Sequence, residues 1–344
     1  MNVPDAVANP LIGSPSNSSL DPAWYRVAVA RRTRAEQERG GSRLSRHVVS
    51  RVAHGLHLLG GDDQPPESGL RSLREVCSDR LRDLAAAYAV ELTAAAFMGN
   101  HFHLQARMDE EEAARWSADE VASRWLRLHP GWRHRGESPA ERAARVREHA
   151  SDPAWVAATR AKLCSLSFFL KDLKQHVAEW HNRVNDGRGC FWQGRFKSFA
   201  AADEGAELAV QAYIELNPFS AGVGGHPHAG THTSLEVRLQ DGAPDWCHPP
   251  AGGTEADRRR RIRRTRGWLT RLSWGPQEPL PPGASRPFQQ PHRRLTFTAY
   301  LTFLDRLARA LRHGKRRLVE PSEVFALIEQ QAAALLPPEP VAPG

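Results

Sequence analysis

The spacing of hydrophobic positions changes several times along the chain, and each change marks an element. In residues 42–53, Leu44, Val48 and Val52 are interleaved with Arg and Ser, which predicts a first strand with Arg46, His47 and Arg51 available for contacts. A Gly/Pro-rich turn follows at 60–69. Over 70–88, Leu73, Val76, Cys77, Leu81 and Leu84 recur at helical spacing. Residues 90–97 and 101–108 predict two strands joined by a short turn at Gly99-Asn100. A polar insert with several tryptophans, 109–161, is helical by composition and broken at Pro130-Gly131. A long helix is expected over 162–184, with Leu166, Phe169, Leu170, Leu173, Val177 and Trp180 as its apolar stripe. Lys171 and Lys174 lie off that stripe, and Asn185-Asp186-Gly187 stops the helix.

The second half reads in the same way. Residues 191–200 predict a strand with Arg195 and Lys197 opposite Phe196. Asp203 is placed to cap a helix that runs to Asn217, where Pro218 ends it. A Gly/His loop spans 220–232. An amphipathic helix is expected over 295–311 and one more over 322–336. The order of these elements predicts an α+β fold: a ferredoxin-like antiparallel sheet with helices on one face, plus a helical insert and C-terminal helices. The expected division is a flexible arm over 1–41, a folded body over 42–240, a Pro/Arg-rich linker over 241–294 and a C-terminal helical region over 295–344.

Composition narrows the classes. The 344 residues carry a formal charge of +8, and the sequence pI is about 9.8, which points to a polyanionic partner such as nucleic acid. Arginine supplies 42 of the 47 basic residues, seven of them in Arg258–Arg266. That run is either a solvated linker or a phosphate-binding arm. A mean hydropathy of −0.54 and no apolar run near 20 residues argue against a membrane span. Residues 1–22 lack the basic and apolar regions of a secretory signal. The four cysteines form no C-x-x-C pair, which suits a reducing cytoplasm rather than a disulfide scaffold or a zinc ribbon.

Three segments carry candidate chemistry. In Met98-Gly99-Asn100-His101-Phe102-His103-Leu104, His101 and His103 fall on one strand face and Phe102 on the other. Two such imidazoles can bind a divalent metal or be ordinary surface histidines, and on this pattern alone the second is commoner. In Ala212-Tyr213-Ile214-Glu215-Leu216-Asn217-Pro218, Tyr213 and Asn217 share a helix face near its last turn. A core tyrosine with a helix-ending Asn-Pro would look the same. In 189–198, Trp192, Arg195 and Lys197 interleave aromatic and cationic side chains, as a base-stacking surface or an ordinary edge strand would. His226-Pro227-His228 with His232 also suggests a metal cluster, but lies in a loop without a scaffold.

Together, these segments resemble the IS200-like transposases, and within them the REP-associated tyrosine transposases, which are HUH single-strand endonucleases. The resemblance rests on MGNHFHL at 98–104, LSFFLKDLKQHVAEWHNR at 166–183, FWQGRFKS at 191–198 and AYIELNPFSAGV at 212–223. The looser RHVVSR at 46–51, THTSLEVRL at 231–239 and LTFTAYLTFLDRL at 295–307 extend it. The insert and the arginine-rich linker match poorly.

The resemblance implies a catalytic domain over 42–240. It makes His101 and His103 ligands of a catalytic Mg²⁺ or Mn²⁺, Tyr213 the nucleophile and Asn217 a third metal ligand. It implies single-stranded or hairpin DNA as partner, and Arg46, Arg51, Lys171, Lys174, Trp192, Arg195 and Lys197 are the candidate contacts read from the strands and helix that carry them. A homodimer is the family's usual state, although some REP-type relatives are monomers, and a bacterial cytoplasm is the expected compartment. Gly99 stands where the family has a small Ser or Pro, and Phe219-Ser220 where Val-Arg is common; neither change removes a catalytic group. Alternatives within the same fold are a repeat-processing nuclease with no element to move and a non-catalytic DNA-binding protein.

Overall fold

The computed structural model describes residues 45–57, 59, 72–131, 134, 136–201, 204–222, 226, 230–242, 269 and 297–314. Strand β1 is Arg46–Arg51. Helix α1, Leu73–Ala85, starts at a capping box in which Ser72 and Glu75 satisfy each other's backbone N–H groups. Strands β2, Val90–Phe97, and β3, His101–Met108, form a hairpin through residues 98–100. Four helices follow: α2 (Glu110–Arg115), α3 (Ala118–Leu128), α4 (Pro139–Ala150) and α5 (Pro153–Leu163). Then come α6 (Leu166–Val184), β4 (Lys197–Ala200), α7 (Glu204–Glu215), the short α8 (Asn217–Ser220), α9 (Ser234–Gly242) and α10 (Phe297–Gly314).

The four strands are ordered β2-β3-β1-β4, and every neighbouring pair is antiparallel. With α1 joining β1 to β2 and α6 preceding β4, this is the ferredoxin-like order the sequence predicts. The two sheet faces have different lives. Val48, Phe102, Leu104 and Phe97 point toward α1 and α6, where Leu81, Leu84, Phe169, Leu170, Leu173 and Val177 complete the main core. The opposite face carries Ala94 and Ala96, covered by α7 and α9 through Leu208, Ala212 and Leu235, and α10 joins the same cluster through Tyr300 and Leu304. Helices therefore lie on both faces, not on one as expected. The extra layer exists because α7 and α9 pack on β2 and the C-terminal amphipathic helix buries its stripe in the same cluster.

A β-bulge at Thr93 produces this division of labour in β2. Register shifts between Leu92 and Ala94, so Val90 and Leu92 before the bulge share a face with Ala95 and Phe97 after it. Ala94 and Ala96 then turn to the other face, where their small side chains let helices lie close.

Three further boundaries differ from the sequence reading. The helix expected over 162–184 is two helices. The Leu163 carbonyl accepts the Ala89 N–H (2.9 Å) instead of continuing the helix, and Ser165 is extended (φ −117°, ψ 118°). The strand expected over 191–200 is reduced to Lys197–Ala200, with one isolated bridge between Val52 and Trp192. Phe191 and Trp192 are consecutive and both join the main core, whereas neighbouring residues of a strand face opposite sides of the sheet. Pro218 does not simply end the tyrosine helix. It opens α8 at its second position after Leu216, which sits at φ −86°, ψ −2°.

The insert is helical, as expected, and broken near Gly131, which adopts φ 76°. A buried polar cluster pins it to the body. Tyr88 donates to the Asp172 carboxylate of α6 (2.6 Å), and His129 Nε2 at the end of α3 lies 2.9 Å from the same oxygen. Burial alone would raise the Asp172 pKa, but hydrogen bonds from His129 and Tyr88 hold it below its ordinary value. The readings made for 1–41, 60–69, most of 241–294 and 322–336 lie outside the described residues. Among the described residues, no helix is long and apolar enough to cross a membrane.

Candidate active site

The site lies on the sheet face away from the main core. Register sets it. Arg51 pairs with His101, Val49 with His103 and His47 with Gln105, and directly paired residues of antiparallel strands share a face. His101, His103 and Gln105 from β3 thus stand beside Arg51, Val49 and His47 from β1. Gln105 Nε2 donates to the Glu207 carbonyl (2.9 Å), which fixes α7 across β3. Two turns further along α7, Tyr213 reaches the histidines. Its ring meets His103 edge-on (centroids 5.8 Å apart, 90°) and His47 at 5.8 Å and 73°. Asn217, at the start of α8, brings its amide nitrogen to 3.4 Å from His103 Nε2. His101 and His103 pack edge to face at 4.8 Å. The four residues singled out for catalysis, 116 positions apart at the extremes, are brought to one place.

Burial controls their charge. His47 is 2% and His103 5% exposed. Desolvation lowers the His47 pKa to about 3. It lowers His101 to about 4, helped by the nearby charges of Arg51 and His57. His103 falls well below its ordinary value for the same reason, with His101, His47 and Arg51 adding to the effect. All three imidazoles are neutral at pH 7, the state in which a ring nitrogen can donate a lone pair to a metal.

Two neutral imidazoles and a carboxamide at this spacing fit a hard or borderline divalent cation. Among the described residues, no group of three or more His, Cys, Asp or Glu side chains is poised to hold a metal. The third protein ligand would then be the Asn217 amide oxygen, reached by turning the amide end for end.

The residues expected to contact DNA divide into two groups. Arg51 shares the histidine face. So does Lys197, which pairs with Val49 opposite His103. Arg46 alternates onto the other face, with Val48. Lys171 is exposed on α6, over the Phe168 ring. Lys174 donates to the Gly194 carbonyl (2.5 Å), and partial burial lowers its pKa to about 8. Trp192 is 6% exposed, donates its indole N–H to the Lys174 carbonyl (2.8 Å) and packs on Phe102 and Phe191. As a base-stacking platform Trp192 is corrected: its ring belongs to the main core, because Phe191 and Trp192 both turn inward. Arg195 is exposed in the loop beside it. That loop is tied to β1 by the Gln193 N–H to the Arg51 carbonyl (2.9 Å). Of the His226-Pro227-His228 and His232 cluster, only His226 and His232 are among the described residues, so it falls partly outside them.

Two site residues escaped the sequence reading. His47 was noted only as available for contacts; its partnership with His103 depends on a β1–β3 register spanning 56 positions. Glu215 was passed over within the Tyr213 segment. It is fully buried on the far side of α7, accepts from Ser234 and Tyr300 (2.5 Å each) and pairs with Arg238. Arg238 also donates to the Thr93 carbonyl at the bulge (2.6 Å). Glu215 therefore ties the tyrosine helix to α9, α10 and β2. Its only sequence signal is an acidic residue flanked by Ile214 and Leu216, both buried.

No known protein-family profile matches the chain, and no curated protein does. Among solved structures, the chain is distantly similar to a REP-associated tyrosine transposase bound to a REP hairpin. The TM-score is 0.33 and the identity 9%, over 61% of this chain and 88% of that one. A likeness this distant carries no argument about activity, which has to stand on the site itself.

Proposed function

We propose that the protein is a metal-dependent tyrosine endonuclease and strand transferase that cleaves and rejoins single-stranded, hairpin-bearing DNA. One observation carries the reading: the chain folds so that a tyrosine of α7 and an asparagine of α8 meet His103, which packs against His101 on the same face of β3. His101, His103 and Asn217 would hold a Mg²⁺ or Mn²⁺, which when bound supplies Lewis-acid polarisation and orientation of the scissile phosphate. The ligands are all neutral, so they leave the cation its full charge for the phosphate.

The chain's own residues supply the rest. The Tyr213 oxygen attacks phosphorus in line and loses its proton to solvent. The phosphorus–O3′ bond breaks, and the leaving 3′-oxygen takes up a proton. The product is a 5′-phosphotyrosine and a free 3′-hydroxyl. The new phosphodiester conserves the energy of the old one, so a second 3′-hydroxyl can reverse the step and join strands without ATP. The phenol is a weak nucleophile at its ordinary pKa of about 10, which makes placement by α7 the larger contribution of the protein. Arg51 and Lys197 on the same face offer positive charge to the phosphate backbone.

The test uses a pool of end-labelled single strands carrying hairpins of different sequence, incubated with the full chain and Mn²⁺. A covalent protein–DNA adduct on a denaturing gel is expected. Tyr213→Phe should lose the adduct and retain DNA binding, because the ring contacts to His47 and His103 survive. His101→Ala and His103→Ala should abolish cleavage, and Asn217→Ala should retain a part that excess Mn²⁺ restores. Cleavage by Tyr213→Phe at the wild-type rate, or indifference to metal, overturns the reading.

A further inference from the structure

Each histidine of the site has a hydrogen-bond partner on its inner ring nitrogen, and neither partner belongs to the proposed chemistry. Asn100 Oδ1 lies 2.6 Å from His101 Nδ1, and Asn100 Nδ2 lies 3.3 Å from the Gly55 carbonyl. His47 Nε2 lies 2.9 Å from His103 Nδ1, with the two rings stacked at 5.2 Å.

The Asn100 case is decided by the chemistry of the groups. A backbone carbonyl only accepts, so the amide end facing Gly55 must be the NH₂. The end facing His101 is then the oxygen, which also only accepts. His101 Nδ1 must therefore carry the ring proton. A neutral imidazole has one such proton, so His101 Nε2 presents a lone pair. The turn holds this arrangement rigidly: the Asn100 carbonyl accepts from Val52 N–H and the Gly99 carbonyl from Leu59 N–H, both at 2.9 Å.

The His47 pair admits two proton placements. In one, His103 Nδ1–H donates to His47, and His103 Nε2 faces Asn217 with a lone pair. In the other, His47 donates, and the remaining proton of His103 sits on Nε2. Only the first leaves His103 able to ligate through the nitrogen that faces Asn217.

We infer that Asn100 and His47 are positioning residues that hold His101 and His103 in the Nδ1–H tautomer, so that both rings offer Nε2 to a common divalent cation. This use of the tautomers rests on the proposed metal site. Each acceptor also opposes rotation of its ring, since turning the ring over would break a short hydrogen bond. The arrangement is the histidine–acceptor support that metal-binding imidazoles generally need, supplied here once by an amide and once by a third histidine. His47 is thus the metal-ready pair's supporter and not a ligand itself.

The experiment has two arms. Long-range ¹H–¹⁵N correlation spectra of the metal-free full chain read the tautomers directly, with His101→Gln and His103→Gln giving the assignments. Nδ1–H is expected at both; Nε2–H at either residue overturns the inference for that residue without any variant of the positioning residues having to fold. Calorimetric titration with Mn²⁺ reads the consequence. Asn100→Leu and His47→Leu should weaken binding by about tenfold or more. Asn100→Asp and His47→Gln, which keep an acceptor oxygen, should recover most of the affinity. Wild-type affinity in both leucine variants overturns the positioning role. Absence of Mn²⁺ binding in the wild type, with both tautomers as expected, overturns the metal site and leaves the tautomer assignment standing.

Discussion

At the scale of single residues, burial decides what the histidines can do. An imidazole in water is about half protonated near pH 6.5, whereas His47 remains neutral to about pH 3 because its charged form is denied water. The sign of the resulting pH dependence follows. Below pH 6.5 the unfolded chain takes a proton at this position and the folded chain does not, so folding stability is greatest above that pH and declines as the pH falls toward 3. One such residue accounts for about 1.4 kcal/mol per pH unit in that window. His101 and His103 are shifted the same way. Urea denaturation at pH 7, 6 and 5 should therefore show stability falling with pH, and His47→Gln should show a slope shallower by about one proton. Carboxylate contributions are common to both proteins and cancel in the difference, so identical slopes would mean that His47 titrates normally. Local spacing pairs His101 with His103 on a strand face and Tyr213 with Asn217 on a helix face, and the family resemblance is what marks them for catalysis. The same rules could not find His47, whose role comes from a neighbour 56 positions away.

Between elements, the tyrosine helix is joined to its neighbours by a buried charge pair as well as by the apolar side chains it buries. α7 carries Tyr213 toward the sheet and Glu215 away from it, and Glu215 collects Ser234 and Arg238 of α9 and Tyr300 of α10. Removing one member of a buried pair strands the other, which costs more than the pair contributes. Glu215→Leu should lower stability by about 3–5 kcal/mol, since Arg238 is only 7% exposed and would keep its charge. Amide exchange in α10, Phe297–Gly314, should rise more than in α6, which packs in the other core. A loss under about 1 kcal/mol with unchanged exchange would show that apolar packing alone seats α7. This layer was only half legible in the sequence. The amphipathic stripe through Tyr300, Leu304 and Leu307 announced a buried helix. Nothing local says which surface it covers, because its partners are the short α8 and Glu215 of α7, the latter 85 positions from Tyr300. The hairpin β2–β3 was found to the residue, since its turn and both its strands are contiguous. The strand expected over 191–200 shortens to Lys197–Ala200 because Phe191 and Trp192 both turn into the main core, a tertiary outcome that their strand-forming residue types do not announce.

Across the whole molecule, the charge of +8 is unevenly spent. Within the described fold, Arg107 pairs with Glu91, Arg124 with Glu120, Arg145 with Glu137 and Arg238 with Glu215, so many arginines are committed to the protein itself. The seven arginines of Arg258–Arg266 stand apart in composition, with Glu255 and Asp257 as the acidic residues just before them. The described residues on either side of the run belong to the fold: α9 packs in the second layer through Leu235 and Leu239, and Leu269 is buried in the main core. The run therefore lies in sequence between two parts of the body that carries the proposed nuclease centre. An arginine that neutralises a phosphate releases counterions, and on single strands each contact contributes about 0.7 to the log–log slope of affinity against salt. Replacing all seven by serine keeps the chain length between α9 and Leu269, which a deletion would not. If every arginine engages a phosphate, the slope measured on hairpin-bearing single strands should fall by roughly five, with affinity at low salt falling steeply. The cleavage position should be unchanged, because phosphate contacts orient a strand without reading its bases. A slope change of one or two would assign most of the run to solvent. An unchanged slope at unchanged affinity would make Arg258–Arg266 a connection between α9 and Leu269, and would leave Arg51, Lys197 and the remaining surface cations to account for the attraction of DNA.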